Sequence, residues 1–179
     1  MENKQESKEM VILVDEQDCE IGAAPKLEAH CCGWLHRAFS VFLFDRQKKL
    51  LVQRRAKNKY HSGGLWANSC CSHPRPGEET FAAAHRRLRE ELGVDCEFKE
   101  LFTFIYKAEL DKGLFEHEYD HILIGCFDGP LRPDPKEVMA WQWLSLDQLK
   151  DEIKNKPEQY ASWLRLSLEE VINRQQEIF

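Results

Sequence analysis

A chain of 179 residues with 42% hydrophobic and 31% charged side chains has the balance of a globular protein with a core of its own, which excludes a disordered or fibrous class. The formal net charge of -6 with no long basic stretch argues against nucleic acid as a partner, yet a few local Lys and Arg can still hold a small anion. The polar start MENKQESKEM lacks the apolar run of a signal peptide, and no stretch approaches the ~20 apolar residues of a membrane span.

The expected location is therefore cytoplasmic, with no stable membrane association. The odd set of seven cysteines, Cys19, Cys31, Cys32, Cys70, Cys71, Cys96 and Cys126, fits free thiols in a reducing compartment. Residues 1–9 are expected as a flexible tail and residues 10–179 as a single domain. Met10 to Val14 reads as a strand, Asp15 to Asp18 as a turn, and Cys19 to Leu35 as loop with short extended pieces. Ala38 to Phe44 (AFSVFLF) and Leu50 to Gln53 read as strands joined in a hairpin. Lys57 to Gly64 is polar and ends in paired glycines, so it is loop, and Leu65 to His73 holds a short strand followed by a turn.

Glu78 to Leu92 is rich in helix formers, with Thr80 as candidate cap and Gly93 where a helix should stop. Ala82 and Ala83 are expected to let that helix lie close to a neighbour. Strands are expected over Leu101 to Ala108, Asp120 to Phe127 and Ala140 to Leu144, with a break from Gly129 to Pro135. Leu146 to Lys154 and Ala161 to Gln176 read as helices on either side of Pro157, the second with Leu164, Leu168, Val171 and Ile172 near 3.6 spacing. Strands without regular strand-helix alternation predict an α/β fold, a mixed β-sheet sandwiched by helices.

Four segments carry candidate chemistry. In RRLREELGV, Arg87 and Glu91 are four apart and share a helix face. In NSCCSHP, Cys71 and His73 alternate, so on an extended chain they face one side and Cys70 the other. In FEHEYDH, Glu116 and Glu118 alternate too, and two carboxylates on one face repel unless a cation or a shared proton compensates. HCCGWLHRAFS adds His30 and His36. Three imidazoles and two carboxylates make a nitrogen and oxygen set for one divalent ion, without selecting which. Cys31 and Cys32 beside His30 leave a zinc site open, but the CxxC spacing of a closed structural site is missing.

The segment from Ser72 to Val94, SHPRPGEETFAAAHRRLREELGV, resembles the Nudix signature: Gly, five residues, Glu, seven residues, then Arg-Glu-apolar-any-Glu-Glu-any-Gly-apolar. Glu78, Arg86, Leu88, Glu90, Glu91, Gly93 and Val94 match, while Ser72 stands at the Gly position and Arg87 at the first helix Glu. Taken with HRAFSVFLF, NSCCSHP, EHEYDH and the late Trp163, the chain resembles type 1 isopentenyl diphosphate isomerases from about Val11 to the last helix. The family has a Nudix-like fold and shifts a double bond in an allylic or homoallylic diphosphate.

By position, the resemblance implies that His30, His36, His73, Glu116 and Glu118 hold one ion, Mn2+, Mg2+ or Zn2+. It further implies that Glu91, the main-chain carbonyl of Cys71 and the substrate diphosphate hold Mg2+. Cys71 and Glu118 would exchange protons with the substrate, with Tyr106 beside them. Lys26, Arg55, Lys59 and Arg87 would cradle the diphosphate, and Trp163 would cover the hydrocarbon tail. His30 and His36 are six apart, a spacing that varies in the family, and Ser162 stands where Pro often precedes the Trp. A Nudix-type diphosphohydrolase is the alternative, and a monomer is expected.

Overall fold

The computed structural model describes residues 9–178. The order is β1 (Met10–Val14), β2 (Glu20–Pro25), α1 (Lys26–Cys32), β3 (His36–Phe44), β4 (Leu50–Arg55), β5 (Trp66–Ala67), β6 (Cys70–Ser72), α2 (Thr80–Leu92), β7 (Phe98–Glu109), β8 (Phe115–Cys126), β9 (Val138–Leu144), α3 (Leu146–Asn155) and α4 (Ser162–Asn173). A last helical turn covers Gln175–Ile178.

β3 is the spine of the mixed sheet. One edge pairs in parallel with β8, from His36 opposite Glu118 to Phe44 opposite Cys126. The other edge takes short antiparallel pieces of β1, β6 and β4 in turn. Side chains of β3 alternate between two cores, as a strand buried on both faces requires. Phe39, Val41 and Leu43 pack with Leu88 and Leu92 of α2, while Phe42 and Phe44 pack with Leu149 of α3 and Leu164, Leu168 and Val171 of α4. The helices therefore lie on both faces of the sheet. Leu88 and Leu92 are fully buried, so cutting either to Ala should cost about 2–5 kcal/mol.

Several local expectations need correction. Residues 1–8 of the expected tail lie outside the described residues, and Glu9 is tied down, its carbonyl accepting from Lys26 N at 2.8 Å. The segment from Cys19 to Leu35, read as loop with short extended pieces, has one such piece in β2 but also holds the helix α1. The helix is only seven residues, KLEAHCC, and Gly33 stops it at φ 65°. Thr80 does not cap α2: Glu79 is the N-cap residue, without a side-chain cap bond. The small buried pair is Ala83 and Ala84, with Ala82 exposed. Leu65 to His73 contains two short strands, and β8 begins early enough to carry Glu116 and Glu118 inside it.

Gly93 ends α2 in the left-handed conformation, φ 66°. A Cβ there would sit 2.8 Å from the Arg132 carbonyl oxygen, so only glycine lets the following loop come so close. That loop caps the helix: Arg132 N donates to Leu92 O at 2.8 Å and Asp134 N to Glu91 O at 2.9 Å. The backbone of Glu91 is thus fixed from both sides.

Candidate active site

One cavity gathers the candidate side chains. It is lined by Lys26, Arg55, Lys59, Cys71, His73, Arg87, Glu91, Glu116, Glu118 and Trp163, together with Tyr60 and His61.

Its floor is a histidine cluster. His30, His36, His73 and Glu118 each offer an atom within 4.8 Å of the others. The backbone sets the tautomers. A carbonyl can only accept, so His30 Nδ1 donates to Lys26 O at 2.7 Å and His36 Nδ1 to Trp34 O at 2.8 Å. Each ring therefore presents a bare Nε2. Burial, reinforced by the neighbouring imidazoles, pushes His30 down to about 3. Burial likewise brings His73 down to about 4, against the pull of Glu118. Both rings are neutral at pH 7, the form that ligates metals. Buried His73 Nδ1 has no partner. Converging bare nitrogens beside a carboxylate fit a divalent ion.

Glu116 stands outside that 4.8 Å group. It shares the Tyr106 hydroxyl with Glu118, which the phenol reaches at 3.2 Å and 2.5 Å respectively. The two carboxyls have opposite environments. Burial and the nearby Glu118 charge push Glu116 well up, so it keeps its proton. Burial opposes ionisation of Glu118 too, but the imidazoles of His36 and His73 outweigh it and hold Glu118 well down. Tyr106, raised by burial and then by both carboxyls, remains a phenol and a donor.

β6 carries the thiols. Cys70 is fully buried in the core beneath α2, whereas Cys71 lines the cavity with His73. Burial pushes the Cys71 thiol up to about 12 despite the Arg55 guanidinium nearby, so it is protonated at neutral pH. Trp163, in the first turn of α4, is anchored by its Nε1–H to Asn68 Oδ1 at 2.9 Å.

Three cations of the expected cradle already hold carboxylates. Lys26 meets Glu9 at 3.0 Å, Lys59 meets Glu137 at 2.6 Å, and Arg87 meets Glu90 and Glu91 at 2.7 Å each. Both Glu91 oxygens are engaged, the second by Gln53 Nε2 at 2.9 Å. Arg55 instead lies over the Trp163 ring, 5.2 Å from its centroid.

Sequence reasoning missed several of these groups. Tyr60 reaches His30 Nε2 at 3.2 Å, and His61 stacks on the His30 ring at 5.6 Å with its Nε2 3.9 Å from Glu116. Both lie in a polar loop with no periodicity to mark them. Asp120 continues the inward phase of Glu116 and Glu118, and that alternation was the available signal. Ser40 donates to it at 2.8 Å. Glu9, Gln53, Asn68 and Glu137 act through partners remote in sequence.

Residues 34–166 match the NUDIX domain model. The chain is 52% identical over 165 residues to isopentenyl-diphosphate Delta-isomerase 2 of Aromatoleum aromaticum, spanning 92% of this chain and 87% of that protein. It is 51% identical to the isopentenyl-diphosphate Delta-isomerase of Serratia proteamaculans over 155 residues, 87% of each. Among solved structures it resembles DR0079 from Deinococcus radiodurans, with a TM-score of 0.67 at 20% identity over 82% of this chain and 90% of that one. That likeness concerns the fold, while half the sequence is shared with the isomerases over nearly their whole length. The chain belongs to the isopentenyl-diphosphate Delta-isomerase family, built on a NUDIX domain.

Proposed function

We propose that this chain interconverts isopentenyl diphosphate and dimethylallyl diphosphate, with Cys71 and Glu118 as its two proton-transfer groups. The observation that carries this reading is their placement: β6 and β8 pair with opposite edges of β3, and both side chains enter one cavity. Moving a double bond by one position requires a proton delivered at one carbon and another removed two carbons away. A flat substrate between a thiol and a carboxylate can satisfy both without turning.

Cys71, protonated at neutral pH, is the donor in the direction that starts from a terminal methylene. Glu118, held ionised, is the acceptor, and the Tyr106 hydroxyl fixes its orientation. An alkene is a weak base, so positive charge develops at a tertiary carbon. The face of Trp163 stabilises that charge by ~2 kcal/mol once water is excluded. Lys26, Lys59, Arg87 and Arg55 bind the diphosphate, whose binding energy is spent away from the reacting carbons.

His30, His36, His73 and Glu118, with Glu116 beside them, would hold Mn2+, Zn2+ or Mg2+, and Glu91 would hold Mg2+ with the diphosphate. Bound there, the ions lower the basicity of Glu118 and neutralise phosphate charge. The seven free thiols fit the cytoplasm. No helix among the described residues is long and apolar enough to cross a membrane.

Incubation with isopentenyl diphosphate and Mg2+, followed by phosphorus and proton NMR, tests the reading. The expected result is the isomer with no phosphate released. Release of phosphate or diphosphate without isomer would replace it with hydrolysis. Against hydrolysis stands Arg87, which occupies the position of a helix carboxylate.

A further inference from the structure

Arg55 is the odd member of the cationic set. It is buried, 7% exposed, yet no carboxylate lies within ion-pair distance of it among the described residues. Its polar contacts are long: Nη2 to the His61 carbonyl at 3.4 Å and Nη1 to Cys71 Sγ at 3.8 Å. Nε is buried with no partner at all. A desolvated guanidinium so poorly satisfied is unusual, because burial of an unpaired charge is strongly unfavourable. Its main company is the π face of Trp163, together with the thiol that must meet the substrate.

The space left is small. The cavity has a volume of about 40 Å³, whereas an apolar cavity of about 150 Å³ is what accepts a six-carbon ring. That volume covers the whole site, cations included, so side chains must shift for a diphosphate and its five-carbon chain to enter together. Trp163 is not the one to move, since Asn68 holds its indole nitrogen and is itself held by donating to the Val41 and Cys70 carbonyls at 3.1 and 2.9 Å. Arg55 is the last residue of β4, at the entrance to a loop, and its few contacts are weak.

We propose that Arg55 plugs the hydrocarbon half of the empty site and that the diphosphate group opens it by drawing the guanidinium off Trp163. The proposal rests on the functional reading above and deepens it. A planar fork of donors gains far more from two phosphate oxygens than from a ring face and a thiol. The exchange is therefore downhill once the anion arrives. Arg55 then acts as a specificity-determining residue: the tail is admitted only behind a diphosphate, and a five-carbon alkenol alone meets a covered indole. In the empty state the guanidinium also keeps a positive charge on the ring face that later receives the developing carbocation.

The test is fluorine NMR of the full-length, metal-loaded protein carrying 5-fluorotryptophan at its five tryptophans, with the Trp163 line assigned by Trp163→Phe. Inorganic diphosphate with Mg2+ is the probe, and calorimetry reports its binding. The expected result is that the probe moves the Trp163 line in the wild type. In Arg55→Gln the line should already lie near that position without ligand. If the probe binds while the line stays put, or if Arg55→Gln leaves the line where the empty wild type has it, Arg55 is not the plug, and the isomerase reading survives. If the probe does not bind, both this proposal and the anion cradle fall. Circular dichroism checks the fold. Should Arg55→Gln not fold, Arg55→Lys keeps the buried charge with a shorter reach. Its empty line should be displaced from wild type and its response to the probe reduced, and a wild-type line with a full response overturns the proposal.

Discussion

His36 and His73 face each other Nε2 to Nε2 at 3.2 Å, and Glu118 Oε1 lies 3.0 Å from His73 Nε2. In the neutral ring His36 Nε2 is the acceptor, because its Nδ1 donates to the Trp34 carbonyl. In the neutral rings the proton between them sits on His73 Nε2, where it serves both His36 and Glu118, while His73 Nδ1 has no partner. A divalent ion needs Nε2, so that proton would have to shift to Nδ1 of the same ring, and the histidines would release no net proton. Any proton released when Mn2+ or Zn2+ binds metal-free protein at pH 7 should come from Glu116, which burial keeps protonated. Calorimetry in buffers of different ionisation enthalpy counts it, and a release that persists in Glu116→Gln would contradict this assignment.

Glu116 should behave as a buried acid in the metal-free protein. Its folded pKa is raised above the unfolded value of 4.5 by burial and by Glu118. The unfolded chain then holds fewer protons, so stability is fully present at low pH and is lost as pH rises through the folded pKa. Glu116→Gln cannot ionise and keeps the shape of the protonated form. It should gain stability relative to wild type as pH rises from 6 to 8.5. Urea midpoints in the presence of a chelator measure this, and a difference that does not change with pH would mean that Glu116 is not a buried acid.

Cys70 and Cys71 are adjacent but face different cores. Cys71→Ser replaces the acid of the site with a much weaker one. It should lose ~3 kcal/mol of transition-state stabilisation, on the order of 10²-fold in kcat, with the melting temperature nearly unchanged. Cys70→Ser should mainly lower the melting temperature, because it puts a hydroxyl into the packed face under α2. Turnover and thermal unfolding of both variants decide. Equal activity losses in proportion to lost stability would make Cys71 a mere filler.

Asn68 holds the indole of Trp163 while donating to two backbone carbonyls. Asn68→Ala leaves the buried indole N–H unsatisfied and should destabilise the protein by ~1–3 kcal/mol. A loosened indole should also lower kcat more than it raises KM. Trp163→Phe removes the orphaned donor, so in that background the further cost of Asn68→Ala should shrink. A double-mutant cycle with no coupling would show that the bond is inconsequential.

How far the sequence could be read follows from the length and period of each element. β3 was legible because AFSVFLF is apolar on both faces, and α2 because thirteen residues of helix formers end at a glycine. α1 was not, since two turns give too few repeats for a 3.6 period to emerge. β2 runs mostly exposed along an edge and shows no alternation. In the site, period 2 alone placed Glu116 with Glu118 and Cys71 with His73. It could equally have brought in Asp120. Tyr60 and His61 enter from irregular chain, and only tertiary contact identifies them. The cationic set came from the resemblance. Its pairing with Glu9, Glu137 and Glu91, and the isolation of Arg55, are visible only in three dimensions.

The parallel pairing of β3 with β8 puts His36 directly opposite Glu118, although the two are separated by almost half the chain. Parallel rungs of such span form slowly, because a long loop must close before any of their contacts exist. The hairpin of β3 and β4 and the helix α2 can gather from local chain, but the ligand set is incomplete until β8 docks. A divalent ion held by that set would thus be captured late, by a chain already largely assembled. Such an ion would lock the finished molecule rather than guide its folding, so chelators should speed unfolding much more than they slow refolding.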